Sequence, residues 1–157
     1  MTVKSIPEGH HNVTPYLSIK NAAKAIEFYK EAFGATEMYR LETPNGLIGH
    51  ADIKIGDSRI MLADPCEGVG TFRAPDSLGG TSVGLHLYVD DVDAQFAQAV
   101  KAGAKVINVV QDQFYGDRSG TLEDPFGHMW FLATHKEDLT SEEIYKRAEA
   151  FFKKNNG

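Results

Sequence analysis

Three side chains in this sequence have the types and the spacing to bind a metal ion or to exchange protons. His50 and Asp52 stand two positions apart in an alternating stretch, so a strand would place both on one face. His86 lies in a second alternating stretch. Imidazole nitrogens and carboxylate oxygens are common ligands of divalent metals. The same three groups would also suit a polar pocket or hydrogen bonds to neighbouring strands, and the sequence leaves these interpretations open.

Aromatic and apolar side chains share the alternating strands with these polar groups, which favours a binding site for a small molecule. Arg118 would suit a carboxylate or phosphate on a ligand, although a salt bridge to Glu123 or Asp124 is equally expected. The predicted ligand-binding residues are Tyr16, His50, Met61, His86, Tyr88, Arg118 and Phe131.

A strand, a helix and three further strands are predicted twice along the chain, with an offset of roughly 70 residues. The first helix is predicted over residues 22–33, with Asn21 as its N-cap and Gly34 as its stop. The second follows Asp90 and Asp91 and ends at Gly103. Strands are predicted at residues 13–19, 36–41, 47–55 and 58–63, and again at 83–89, 105–110, 118–123 and 129–132.

This duplication predicts an α+β fold of two βαβββ modules. A helix covers only one face of each sheet. Two modules side by side would therefore form a curled mixed sheet, made of half-barrels, with the helices outside. The concave inner face is then the expected ligand site. The predicted segments are an N-terminal arm (1–12), the first module (13–65), a loop or linker (66–81), the second module (82–136) and a C-terminal helix (137–157).

The composition excludes several classes of function. A net charge of -6 argues against binding to nucleic acids or anionic membranes, because both require a basic surface. Cys66 is the single cysteine, so no intrachain disulfide can form. The N-terminus lacks the apolar run of a signal peptide, and no stretch approaches the roughly 20 apolar residues of a membrane span. A cytoplasmic protein without nucleic-acid or membrane partners is predicted.

Three segments resemble the glyoxalase, bleomycin-resistance and extradiol-dioxygenase superfamily, also called vicinal oxygen chelate. They are IEFYKEAFG at residues 26–34, HLYVDDVD at 86–93 and EDPFGH at 123–128. The segment GDRSG at 116–120, followed by the EDPFGH segment and Trp130, is similar to the PhnB-like branch. The resemblance covers about residues 13–136. It is specific for the fold and less so for function, because this superfamily includes many activities and some simple binding proteins.

Enzymes of that superfamily hold a divalent metal with His or Glu on the first and last strands of each module. Matched by position, these places fall at Thr14 (or Val13), Met61, Gly84 and Phe131. None is a usual metal ligand, so the resemblance implies that the standard metal site is missing, which counts against lactoylglutathione lyase or dioxygenase chemistry. A displaced site at His50, Asp52 and His86 is the alternative.

Three functions therefore remain open. The favoured one is a protein that binds a small aromatic or apolar molecule in the concave face and needs no cofactor. The second is a metal-dependent lyase, isomerase or dioxygenase with the displaced site. The third is a non-catalytic dimeric module assembled through the C-terminal helix. The resemblance also implies a homodimer, because relatives commonly complete their half-barrels with a second chain. Whether the two modules pair within one chain or between chains stays open.

Overall fold

A computed structural model of the chain describes residues 2–66 and 72–156 and contains two four-stranded sheets. In chain order the strands are β1 (Tyr16–Ser18), β2 (Thr36–Glu42), β3 (Ile48–Ile55), β4 (Ser58–Ala63), β5 (Gly84–Tyr88), β6 (Lys105–Asp112), β7 (Asp117–Glu123) and β8 (Met129–His135). The helices are α1 (Ala22–Phe33), α2 (Pro75–Leu78), α3 (Val92–Ala102) and α4 (Ser141–Asn155).

The two sheets have the same topology, which confirms the predicted duplication of a βαβββ module. Their strand orders are β1-β4-β3-β2 and β5-β8-β7-β6, and neither sheet is closed. In each, the first and last strands of the module run parallel, whereas the other pairs are antiparallel. The backbone bond from Ile19 N to Ala63 O in the first module recurs as Val89 N to Ala133 O in the second.

Helix α1 spans the predicted residues and Asn21 occupies its N-cap position as predicted, but the Asn21 side chain does not cap the helix. Asn21 adopts a left-handed conformation with φ 65° and makes no side-chain capping bond. Instead Asp64, which follows β4, accepts hydrogen bonds through Oδ1 from Asn21 N at 2.8 Å and Ala22 N at 3.2 Å. Local sequence indicates where a helix begins, but a carboxylate from a distant strand can replace the local cap.

Helices α1 and α3 lie against each other and share a single apolar core with the helix-facing sides of both sheets. Tyr29 and Phe33 of α1 contact Trp130 of β8, with ring centroids 5.3 and 4.5 Å apart. Trp130 is only 2% exposed. The two modules of one chain are therefore joined through their helices and through the rings of Tyr29, Phe33 and Trp130.

The largest differences from the predicted strand bounds are at the start of β1 and the end of β8, and one predicted loop also differs from the structure. Strand β1 begins at Tyr16 rather than at residue 13, and Pro15, which has no N–H to donate, lies just before it. The last strand continues to His135 because it pairs with β7 well beyond its apolar run. The predicted loop at 66–81 contains the short helix α2, which starts at Pro75. Residues 67–71 of that loop lie outside the described part of the chain.

The C-terminal helix α4 lies within the predicted segment 137–157, begins at Ser141 and is capped by Thr140. Thr140 Oγ1 accepts a hydrogen bond from Glu143 N at 3.2 Å. None of the 15 residues of α4 is buried. It contacts the β6–β7 connection through the rings of Phe151 and Phe152, which lie 5.0 and 6.2 Å from the ring of Phe114. Within residues 2–66 and 72–156, no helix has the length and apolar character needed to cross a membrane.

Candidate functional site

The face of the first sheet that points away from α1 carries an aromatic cluster around His50. Tyr16 Oη and His50 Nδ1 are 2.6 Å apart, which is a short hydrogen bond. The ring of Tyr39 lies 5.6 Å from that of His50, and the ring of Phe72 lies 5.7 Å edge-on from that of Tyr16. Burial, followed by the neighbouring Tyr39, raises the pKa of Tyr16, so its phenol stays protonated at neutral pH. Met61, the cross-strand neighbour of Tyr16, is half-buried on the same face.

Asp52 lies on this face too, but it is almost completely buried in an ion pair. Its two carboxylate oxygens accept hydrogen bonds from Arg59 Nε and Nη2, both at 2.7 Å. The carboxylate is 1% exposed and the Arg59 side chain 12%. His10, from the N-terminal arm, places Nε2 3.6 Å from Asp52 Oδ2. Asp52 thus anchors a structural pair and the arm, a role that the sequence did not indicate.

The corresponding face of the second sheet carries the predicted His86, Tyr88 and Phe131, together with two residues that sequence reasoning missed. The rings of His86 and Tyr88 lie 4.7 Å apart. Tyr88 Oη donates to the buried Asp117 at 2.8 Å. The other oxygen of Asp117 lies 2.8 Å from His135 Nδ1. This hydrogen-bonded chain crosses from β5 to β7 and β8, on the same face as Phe131.

Register explains why Asp117 and His135 were missed. The two residues are directly opposite each other in the β7–β8 ladder, but the apolar run that marks β8 in the sequence ends at residue 132. The hydrogen bond to Asp117 raises the pKa of Tyr88. The pKa of His135 is also raised, first by Asp117 and then by Asp138, whose Oδ1 lies 2.8 Å from Nε2. His135 thereby connects β8 to the segment that leads into α4.

The stabilisation that protonated His135 contributes is expected to decrease as the pH rises. Because the pKa of His135 is higher in the folded protein than the unperturbed value, the folded state binds the proton more tightly. The contribution is complete below about pH 6.5 and is lost as the pH rises through the folded-state pKa. Urea unfolding of wild type and His135→Gln at several pH values from about 5 to about 9 would measure this contribution. A difference in unfolding free energy that grows with pH would contradict the prediction.

The sequence and the fold agree with one family. A family model described as Glyoxalase/Bleomycin resistance protein/Dioxygenase superfamily matches residues 10–132, most of the chain. The chain belongs to this superfamily. An uncharacterised protein of Mycobacterium tuberculosis is 42% identical to it over 134 residues, which cover 84% of this chain and 79% of the relative.

Solved structures of the superfamily share the fold. TioX from Micromonospora aligns with a TM-score of 0.62 and 24% identity, covering 83% of this chain and 100% of TioX. A PhnB protein from Bacillus cereus aligns with a TM-score of 0.62 and 16% identity, covering 79% of this chain and 99% of that protein. The family model confirms the resemblance to the superfamily, and these structures confirm its fold.

The residues at the superfamily's usual metal positions do not fit a metal ion. Thr14, Met61, Gly84 and Phe131 provide no imidazole, carboxylate or thiolate. The ring of Phe131 lies directly over Gly84, and its Cδ2 is 3.0 Å from the point where a Cβ would stand on that glycine. An apolar ring therefore covers the strand position where the superfamily's enzymes place a ligand in the second module.

The displaced donor set is not assembled either. Among residues 2–66 and 72–156, no three His, Cys, Asp or Glu side chains form a group that could hold a metal ion. Asp52 is paired with Arg59, and His50 is bonded to Tyr16. His86 belongs to the second sheet, beside Tyr88. The three proposed ligands therefore each have other neighbours in the described part of the chain.

Arg118 forms different ion pairs from those expected. Its guanidinium donates from Nε to Asp93 at 2.8 Å and from Nη1 to Asp112 at 3.2 Å, whereas Glu123 and Asp124 were the expected partners. The prediction of these partners was wrong because Arg118 extends towards α3, where Asp93 lies in the first turn. The two carboxylates raise the pKa of Arg118, and the guanidinium lowers the pKa of Asp93. A ligand role for Arg118 stays a prediction.

Proposed function

We propose that this protein binds a small, planar aromatic or apolar molecule on the concave faces of its sheets, without a metal at the superfamily's usual positions. The observation that supports this most directly is the aromatic cluster of Tyr16, Tyr39, His50 and Phe72. Tyr16 is 40% exposed, Tyr39 46% and Phe72 54%. Large aromatic side chains are normally covered, so an exposed group of them on one sheet face indicates a binding surface.

The arrangement of the cluster suits a ring with a polar substituent. The rings of Tyr16 and Phe72 meet edge to face, with an interplanar angle of 76°, and those of Tyr16 and His50 are tilted by 50°. Such open edges and faces accept a further ring in offset or edge-on geometry. The Tyr16 hydroxyl and the ring nitrogens of His50 supply a donor and an acceptor beside them. Phe131 and Tyr88, 39% and 60% exposed, add apolar surface on the second sheet.

Tyr39→Ala is expected to weaken the binding of planar aromatic compounds about tenfold. Removing the ring loses an aromatic contact and the apolar area buried beneath the ligand, together worth about 1.4 kcal/mol or more. Isothermal titration of 2-naphthol and quinoline, with and without added divalent metal, would measure the effect. Tyr16→Phe should weaken binding less, because the ring remains and only the hydroxyl is lost.

Tyr145→Ala is the matched control, because Tyr145 is a 73% exposed tyrosine on α4 that does not belong to the aromatic cluster. Its affinities should equal those of the wild type. The proposal would be abandoned if neither compound bound the wild type, or if Tyr39→Ala and Tyr145→Ala bound them equally well.

A homodimer is part of the same proposal, and the edge strand β6 supports it. Val106, Ile107 and Val109 are 40%, 40% and 66% exposed on this strand, whose outer edge pairs with no other strand of the described residues. An exposed, apolar sheet edge is normally covered by another chain, because it would otherwise promote aggregation. A second copy of this chain that covers β6 would remove that exposure. Sedimentation equilibrium would test it: a monomer at micromolar concentration would contradict the homodimer.

A further inference from the structure

We propose that the chain has a second binding site, for a molecule with a single aromatic ring, in a cavity between the two modules. The cavity is bordered by residues 13–15, by the β3–β4 hairpin of the first module, and by β5 and β8 of the second. It is distinct from the aromatic cluster of the proposed function, because none of Tyr16, Tyr39, His50 or Phe72 lines it. Binding at this second site does not depend on the proposed function.

The size and the walls of the cavity determine the class of ligand. Its volume is about 180 Å³, and its lining combines the apolar side chains of Ile55, Ile60, Leu85, Leu87 and Trp130 with polar ones, among them His11, Ser58, Arg59 and His86. An apolar cavity of about 150 Å³ lined by Leu, Ile and Phe side chains binds benzene. One aromatic ring therefore fits, whereas a fused pair of rings exceeds the space.

Trp130 gives the cavity an aromatic wall with no unsatisfied polar group. Its indole nitrogen donates to Asp124 at 2.9 Å, inside the core. The residue is 2% exposed, so water hardly reaches the ring. A bound ring could therefore contact the indole without competing for a hydrogen bond.

The N-terminal arm covers one side of the cavity. His11 and Val13 belong to its lining. The arm is held in place by the ion pair on the concave face: His10 lies 3.6 Å from Asp52, and the Cβ position of Gly9 lies 3.5 Å from Arg59 Nη1. His11 and His86 also place ring nitrogens near the apolar walls, which suits a small polar substituent on the ring.

The fluorescence of Trp130 offers a direct test, because it is the single tryptophan of the chain. Iodobenzene quenches an indole that it contacts, whereas acrylamide quenches only indoles that water reaches. Titration of the wild type with iodobenzene should give saturable quenching with one site, and acrylamide should have little effect. Iodonaphthalene, with two fused rings, should not saturate. Non-saturable quenching by iodobenzene, or equal saturation by iodonaphthalene, would overturn the proposal.

Two variants that reduce the cavity volume complete the test. Leu85→Phe fills it from β5, and Val13→Phe fills it from the arm, where an 83% exposed side chain can be changed without disturbing the core. Each should raise the Kd for iodobenzene at least tenfold. Tyr39→Ala, on the concave face, should leave that Kd unchanged even though it weakens 2-naphthol binding. If Val13→Phe and a folded Leu85→Phe, judged by far-UV circular dichroism, both kept the wild-type affinity, the cavity would not be the site.

Discussion

Asp124→Ala is expected to lower the free energy of unfolding by at least about 3 kcal/mol. The carboxylate is 3% exposed and accepts four hydrogen bonds. Two come from the side chains of Tyr29, at 2.6 Å, and Trp130, at 2.9 Å. The others come from the backbone N–H groups of Phe126 and His128, at 2.9 and 3.0 Å. Alanine leaves these donors without an acceptor in the core, and each unsatisfied buried group costs about 1–3 kcal/mol.

The bond to Tyr29 makes Asp124 a contact between modules, since Tyr29 lies in α1 and Asp124 follows β7. Burial, then Asp124, raises the pKa of Tyr29 well above its ordinary value, so the phenol remains a donor. Tyr29→Phe should therefore cost only about 1 kcal/mol, because the carboxylate keeps its three other donors.

Urea unfolding of the three proteins would measure these differences, with Asp57→Ala as the matched control. Asp57 occupies the β3–β4 turn of the first module, is exposed, and within residues 2–66 and 72–156 bonds only to Ser58 Oγ, at 3.0 Å. Its replacement should change stability by less than about 0.5 kcal/mol. An Asp124→Ala protein as stable as Asp57→Ala would show that the buried network does not hold the modules together.

Arg59→Met should destabilise the protein by about 3–5 kcal/mol, because it leaves the buried carboxylate of Asp52 without its counter-charge. The pair is almost dry, with Asp52 1% and Arg59 12% exposed, and both of its hydrogen bonds are 2.7 Å long. The bidentate geometry is the form in which arginine binds a carboxylate most strongly. Methionine keeps much of the aliphatic stem and removes the charge, so the loss reports on the ion pair rather than on packing.

A double replacement separates the cost of the unpaired charge from the value of the pair. Asp52→Leu combined with Arg59→Met removes both charges, and it should recover most of the stability that Arg59→Met loses. Lys54→Met is the control, because Lys54 lies directly opposite Arg59 in the ladder but is exposed. It should alter the unfolding free energy by less than about 0.5 kcal/mol. A double variant as unstable as Arg59→Met alone would indicate that packing, not charge, is responsible.

Much of the fold follows from the sequence because it depends on local periodicity. Alternation along residues 47–55 placed His50 and Asp52 on one face, and in the structure the residues between and after them, Ala51, Ile53 and Ile55, belong to the core on the other face. Glycines after the helices, at positions 34 and 103, stop α1 and α3 as predicted. The side-chain chemistry at Thr14, Met61, Gly84 and Phe131 is also a property of the sequence alone, since no tertiary arrangement can give these residues metal-binding donors of the usual kind.

The partners of the polar groups were decided by the tertiary structure. Alternation assigns a residue to a face, but the register of the next strand determines which side chain stands opposite. Asp117 therefore meets His135 through the β7–β8 ladder, and Asp52 meets Arg59 across the β3–β4 hairpin. The start of α1 is capped by Asp64, 42 residues from Ala22 in sequence, because the parallel β1–β4 pair brings the end of β4 to the start of the helix.

The same distinction applies to the candidate site. From the sequence, His50, Asp52 and His86 were a candidate set of ligands, because residue type and face are all that a period of two can determine. In the folded chain Asp52 is ion-paired with Arg59, and His50 is hydrogen-bonded to Tyr16. His86 lies beside Tyr88 on the other sheet. Burial makes an unpaired carboxylate costly, so the fold pairs Asp52 with the cation within reach. Sequence determined which groups share a sheet face, and packing determined which of them pair with one another.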